Sequence, residues 1–294
     1  MSCKQVVLSE TPEQRVLRDG LGIREDLKRR EVWRYDAAVN VEIYRCSDDA
    51  PNLLFLAGIG TYVELYAELA VKLVEQGFNV IAVDPPGHGY SAGEKGRYSV
   101  EQFRHQLTHV IDRVSDRFTG DWSVFGYSIG SLHAVSLAEH DPRIKKVVCD
   151  TLLLTEVPPD FMHALGWSWT SFGALWFPAS RVPLKSFIDW ESLLGDHPAG
   201  PYINQDPKII FDYPLGTLSS LFTHRAGIAT NSYPFELTIL QGDQDEVLSL
   251  EYAYRVANYV KQPIHVEVIP GAGHMMPWDV PEALAKIVAK VLKN

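Results

Sequence analysis

"WSVFGYSIGSLHAVSLAEH", residues 122–140, is the stretch whose reading decides the fold. Trp122 to Tyr127 opens it as a short apolar run, and from Ile129 onward the residues have the apolar density of a buried helix. Between the two, Gly126 and Gly130 flank Ser128. A strand that passes into a helix through one tight turn is the repeating unit of a parallel sheet covered by helices. The pattern G-Y-S-x-G also occurs at "HGYSAGEKG", residues 88–96, around Ser91. There the context differs. Pro85 and Pro86 end the preceding strand, and "EKGRYS" after it is turn-like. Only Ser128 has the entering strand and leaving helix that hold a strained serine clear of a sheet edge.

The same alternation extends in both directions. "NLLFLAG" (52–58) and "NVIAVD" (79–84) read as buried strands. The helix between them has apolar residues at 63, 66, 69, 70, 73 and 74, and Gly77 serves as its stop signal. An amphipathic helix begins near Ser99. "IKKVVCD", "ELTILQGD" and "HVEVIPGAGH" are later strands, and "PEALAKIVAKVL" is a closing helix with Pro281 at its start. Upstream, partial alternation over 31–46 predicts antiparallel strands. The predicted class is α/β, a mostly parallel sheet with helices on both faces.

Two regions stand outside this rhythm. Residues 1–30 are polar and predict an irregular N-terminal arm. From Asp150 to Glu236 no βα unit is visible, too long an interruption for a plain loop. Residues 153–232 therefore predict a helical cap inserted after the sixth strand, with the core formed by 31–152 and 233–294. Four of the seven tryptophans, Trp167, Trp169, Trp176 and Trp190, lie in the cap. Its uncharged run Phe161–Ser180 is long enough to span a bilayer. It nevertheless contains a histidine, hydroxyl residues and Pro178, and reads as a buried or ligand-facing helix.

Bulk properties narrow the function. In 294 residues, 46% are hydrophobic and 22% charged, with net charge −10. That acidity, without a Lys/Arg cluster, argues against nucleic-acid partners and anionic membranes. Residues 1–16 contain no apolar signal segment. Cys3, Cys46 and Cys149 are too few and too scattered for a disulfide framework or zinc site, which points to a cytoplasmic protein with reduced thiols. His105 and His109, four apart on one helix, lack the other ligands of a metal site. "LLFLAGIG" followed by Asp84 imitates a dinucleotide site, but Val63 stands where the third glycine should be. No cofactor or metal is expected.

A serine hydroxyl needs a base, and the base needs an orienting carboxylate. His265 lies inside a strand pattern, whereas His274 ends a glycine-rich exit loop. "LQGDQDEV" (240–247) offers Asp243, Asp245 and Glu246, with Asp150 as a rival. At this point the chain resembles the α/β-hydrolases, closest to the monoacylglycerol lipase and lysophospholipase-like group. The pieces that match are "GIGTYVELYAELA", "VDPPGHGYSAG", "FGYSIGS", "GDQDEV" and "PGAGHMMPWDVPEAL". The resemblance implies Ser128 as nucleophile, Asp245 as acid and His274 as base, with Gly87-His88-Gly89 a structural turn. It also implies an oxyanion hole formed by the backbone N–H groups of Ile59 and Ile129. Ala57-Gly58 and Tyr127 stand where many relatives carry His-Gly and a histidine.

The expected activity is hydrolysis of a small-molecule acyl ester, such as a monoacylglycerol or lysolipid, through an acyl-enzyme. Trp167, Trp169, Phe172 and Trp176 of the cap are the candidates for covering the acyl chain. Acyl thioesterase, acyltransferase, lactonase, peptidase and C–C hydrolase chemistry use similar machinery. A non-catalytic binding module is the remaining alternative.

Overall fold

The computed structural model describes residues 3–36, 38–184 and 188–294. In chain order, β1 (Cys3–Gln5), α1 (Pro12–Leu21) and α2 (Arg24–Leu27) precede β2 (Arg30–Tyr35) and β3 (Val39–Tyr44). The α/β core continues with β4 (Asn52–Leu56), a 3₁₀ turn (Val63–Tyr66) leading into α3 (Ala67–Glu75), and β5 (Asn79–Val83). Next come α4 (Val100–Val114), β6 (Trp122–Tyr127), α5 (Ile129–Ala138) and β7 (Ile144–Asp150). The inserted cap carries α6 (Phe161–Trp176), β8 (Arg181–Pro183), α7 (Trp190–Leu194), α8 (Gly200–Ile203), β9 (Asp212–Pro214) and α9 (Leu215–Phe222). The core then resumes with β10 (Glu236–Gly242), α10 (Leu250–Tyr259), β11 (Ile264–Ile269), α11 (Met276–Asp279) and α12 (Pro281–Lys293).

Among the described residues the sheet runs β1-β2-β3-β5-β4-β6-β7-β10-β11. The six strands from β5 to β11 pair in parallel, and β1, β2 and β3 form an antiparallel edge. Strands β4 and β5 are buried at every position, as their unbroken apolar runs require under helices on both faces. Helix α3 packs against α12, and α4 against α5. All ten residues of α5 are buried, which explains why its sequence has no polar face.

The polar N-terminal arm is more ordered than its composition predicts. Thr11 and Gln14 form a reciprocal capping box at the start of α1, with Pro12 in the first helical position. The helix docks by both apolar and charged contacts, with Leu17 and Leu21 buried in the core beside Gln14 and Arg18. Arg18 makes a two-pronged contact with the buried Glu64 at 2.7 and 2.8 Å, and Arg30 bridges Glu64 and Glu42 at 2.8 and 2.9 Å. With β1 counted, the cap follows the seventh strand. Within the cap, β8 and β9 form a two-stranded ribbon that the sequence did not announce.

Helix α6 is also not the buried helix its composition suggested. Only Thr170 of its residues is buried. Phe161, Met162, Leu165, Trp169, Phe172, Leu175 and Trp176 are exposed. No described helix is long and apolar enough to cross a membrane. Cys46 and Cys149 are free thiols, and the Cys3 side chain lies outside the described residues.

Candidate active site

Ser128 sits between β6 and α5 with φ 53° and ψ −122°, a left-handed conformation that costs energy in a non-glycine residue. The turn is held by its surroundings. The Ser128 N–H donates to the Asp150 carbonyl of β7 at 2.9 Å, and its own carbonyl accepts from the Ser131 N–H at 2.9 Å. The flanking glycines are steric requirements. A Cβ on Gly126 would lie 2.4 Å from the Gly130 carbonyl oxygen, and one on Gly130 would lie 2.3 Å from the Leu56 carbonyl oxygen of β4. Both obstacles are backbone and cannot swing away. Gly130→Ala is therefore expected to lower unfolding stability by about 2–3 kcal/mol, read by urea titration. A variant as stable as wild type would show that the elbow yields.

The candidate residues Asp245 and His274 arrive on two loops joined by backbone hydrogen bonds. Asp243 N–H donates to Ile269 O at 3.3 Å, and Gln244 N–H to Ala272 O at 3.0 Å. Gly242 allows this approach, since a Cβ there would meet Ala272 O at 2.2 Å. The Asp243 carboxylate accepts from the Gly271 N–H at 2.7 Å and so pins the two loops together. Asp245 lies beyond, its Oδ1 accepting from Val247 N–H at 2.8 Å and Leu248 N–H at 2.9 Å. Its Oδ2 accepts from Gln241 Nε2 at 3.3 Å and stands 2.9 Å from His274 Nδ1. A carboxylate that collects N–H donors in this way can only accept from the imidazole too. In the neutral ring this puts the proton on Nδ1 and leaves Nε2 bare.

Ser128 and His274 line one pocket of about 360 Å³, together with Gly58, Ile59 and Thr61 of the loop after β4. Tyr127 supports its wall. The Tyr127 hydroxyl donates to the His274 carbonyl at 3.2 Å, and Tyr127 occupies the space above Gly58, where a Cβ would lie 2.8 Å from the ring. Ile129 is the first residue of α5, and within the described residues no hydrogen bond uses the Ile129 or Ile59 N–H. The Gly58–Ile59 peptide is fixed by its other end. The Gly58 carbonyl accepts from the Thr61 hydroxyl at 2.9 Å and the Thr61 N–H at 3.3 Å. In a planar trans peptide the Ile59 N–H must then point the opposite way.

The remaining candidates lie elsewhere. Ser91 is a strut of its turn, accepting from Asn40 N–H at 2.9 Å and donating to Asp84 O at 2.8 Å. The Asp84 carboxylate is occupied by the N–H groups of Val63 and Tyr90 and by the Asn40 amide. His265 is exposed beside Glu267, and His105 and His109 are exposed on α4. Asp150 is wholly buried with both carboxylate oxygens unpartnered among the described residues, and burial, followed by the nearby Asp245 charge, pushes its carboxyl well above the ordinary range. In the cap, Trp169, Phe172 and Trp176 are exposed, Trp167 stacks on Phe222 at 5.4 Å, and none of the four lines the pocket. The cap reaches the pocket instead through His163, Ile188, Asp189, Trp190, Ser192 and Leu193. The hydrophobic run 161–180 contributes only His163 to the pocket lining, and the other five cap residues come from 188–193.

The family model for serine aminopeptidase S33 matches residues 49–280, from just before β4 to just before α12. The chain belongs to the serine aminopeptidase S33 family. This family membership makes it a serine hydrolase on the α/β-hydrolase fold. Among similar proteins, the pimeloyl-[acyl-carrier protein] methyl ester esterase of Nitrosospira multiformis is 28% identical over 259 residues, covering 83% of this chain and 94% of that protein. Two solved structures share the fold. The monoacylglycerol lipase of Paleococcus ferrophilus has a TM-score of 0.66 at 23% identity, covering 85% of this chain and 98% of that one. A soluble variant of the Saccharomyces cerevisiae monoglyceride lipase has a TM-score of 0.72 at 15% identity, covering 89% and 93%.

Proposed function

We propose that this serine hydrolase cleaves carboxylic esters of apolar acyl groups, of the monoacylglycerol or lysolipid kind, with Ser128, His274 and Asp245 as its triad. The observation that carries the reading is a strained serine and a carboxylate-oriented imidazole lining one pocket with Ile59, the N–H groups of Ile59 and of Ile129, next to Ser128, making no hydrogen bond among the described residues. His274 Nε2 takes the Ser128 proton as Oγ attacks the acyl carbon, and the negative charge moves onto the carbonyl oxygen. The Ile59 and Ile129 N–H groups receive that oxyanion, each such donor being worth about 10²–10³ in rate. His274 then returns the proton to the departing alcohol, and water repeats the sequence on the acyl-enzyme.

Ile59, Ile188, Trp190, Leu193, Val247, Met275 and Trp278 give the pocket apolar walls for an acyl chain. The test is a panel of p-nitrophenyl esters of rising chain length. Each methylene that enters the pocket contributes about 0.8 kcal/mol, so kcat/KM is expected to rise about fifteenfold per two-carbon step until the space is full. Leu193→Trp should move that limit to shorter chains while leaving acetate ester hydrolysis close to wild type. Asp189 and Glu246 also line the pocket and could accept a substrate ammonium group, as a peptidase requires. Faster cleavage of aminoacyl p-nitroanilides than of any ester would overturn the ester reading.

A further inference from the structure

The loop that carries Ile59 is held from two sides, and one of them is the cap. Gly60 has φ +74°, and a Cβ there would lie 2.7 Å from both the Ile210 carbonyl oxygen and the Trp190 ring. The Gly60 carbonyl accepts from the Ile210 N–H at 2.9 Å. Its N–H donates to the Tyr213 hydroxyl at 2.9 Å. Both residues belong to the segment around β9, and both are fully buried. Each backbone group of Gly60 is thus tied to the cap.

The polarity of this contact is fixed from the core. His88 Nδ1 stands 3.0 Å from the Pro86 carbonyl, which can only accept, so Nδ1 carries the ring proton. Burial pulls the His88 pKa down to about 4, which keeps the ring neutral and Nε2 bare. The Tyr213 O–H at 2.5 Å must therefore donate to Nε2, and its lone pairs are free for the Gly60 N–H. The result is a directed chain from the Ile59–Gly60 peptide through Tyr213 and His88 to the Pro86 carbonyl. Thr61 anchors the neighbouring Gly58–Ile59 peptide from the core side.

We propose that Tyr213, backed by His88, is a positioning residue through which the docked cap holds the oxyanion loop in its working geometry. The cap then does more than cover the acyl chain. A displaced cap would release Gly60 and, with it, the aim of the Ile59 N–H. This proposal rests on the ester-hydrolase reading above.

Tyr213→Phe keeps the ring and removes the hydroxyl, leaving the Gly60 N–H and His88 Nε2 without their partner. The test compares this variant with wild type on a p-nitrophenyl ester and on two ketones of equal chain length. A trifluoromethyl ketone adds the Ser128 oxygen, passes the serine proton to His274 and places an oxyanion in the hole. The methyl ketone binds as a ground-state ligand. The variant is expected to lose about tenfold in kcat with KM little changed. Its affinity for the trifluoromethyl ketone should fall by the same factor, with methyl ketone binding unaltered. His88→Leu should reproduce the pattern more weakly from the core side. A folded Tyr213→Phe protein with wild-type kcat and trifluoromethyl ketone affinity would overturn the proposal. Equal losses for both ketones would also overturn it, because they would mark general damage to the pocket. Wild-type protein that takes up no trifluoromethyl ketone at Ser128 would overturn the proposal together with the reading beneath it.

Discussion

Ser128→Ala is expected to lower kcat by on the order of 10⁵-fold or more, while Ser91→Ala keeps most of the activity. Both serines satisfy the same short pattern, so their surroundings decide. Ser128 is held at positive φ between a strand and a buried helix, and its side chain opens into the pocket shared with His274. Removing its hydroxyl removes the only atom in the proposal that bonds to the acyl carbon. Ser91 has its hydroxyl committed on both sides, to the Asn40 N–H and the Asp84 carbonyl. Its loss is expected in stability instead, at about 1–2 kcal/mol, because a backbone N–H is left without its acceptor. Active-site titration with a fluorophosphonate probe, alongside urea unfolding of both variants, separates the two roles. Covalent labelling of Ser91 in wild-type protein would sink the assignment.

The core was legible because local and global signals agreed. Strands β4, β5 and β6 are short, mostly apolar runs bounded by turn residues, and they are buried almost throughout for that reason. The elbow was legible through its glycines, whose positions are dictated by backbone atoms 2.3 and 2.4 Å from any added Cβ. The arm was harder to read because only Leu17 and Leu21 of its helix are apolar and buried, and the rest of the docking face is Gln14 and Arg18. Its "TPEQ" capping box was in plain view and should have outweighed the polar composition.

The cap was the least legible part, and the reason is physical. Periodicity identifies a helix, but a helix apolar all round does not say which face meets the protein. Trp169, Phe172 and Trp176 turned outward, whereas Trp190 packs on Gly60 of the loop after β4. Tyr213 carried no local signal at all. Its partners Gly60 and His88 lie 153 and 125 residues away in the chain, and only folding brings them together.

Asp245→Asn is expected to reduce kcat by about 10³–10⁴-fold with KM within a few-fold of wild type. The carboxylate can only accept from His274 Nδ1, which holds Nε2 bare for the Ser128 proton and stabilises the imidazolium that forms. An asparagine amide can present N–H to the ring instead and favour the wrong tautomer. Asp243→Asn should stay near wild type, since an amide oxygen can still accept from the Gly271 N–H. Asp150, the rival acid from sequence, makes the sharper control. Its carboxyl is buried without a partner among the described residues, and burial raises its pKa well above the unfolded value of 3.8. A carboxyl raised on folding binds more protons in the native state, so its presence weakens the fold as pH climbs past that unfolded value. Asp150→Asn is therefore expected to remain active, to match wild-type stability near pH 4 and to exceed it at pH 7. Steady-state kinetics and urea titrations at the two pH values test all three variants. Full activity in Asp245→Asn, or a loss of similar size in Asp150→Asn, would reassign the acid to β7.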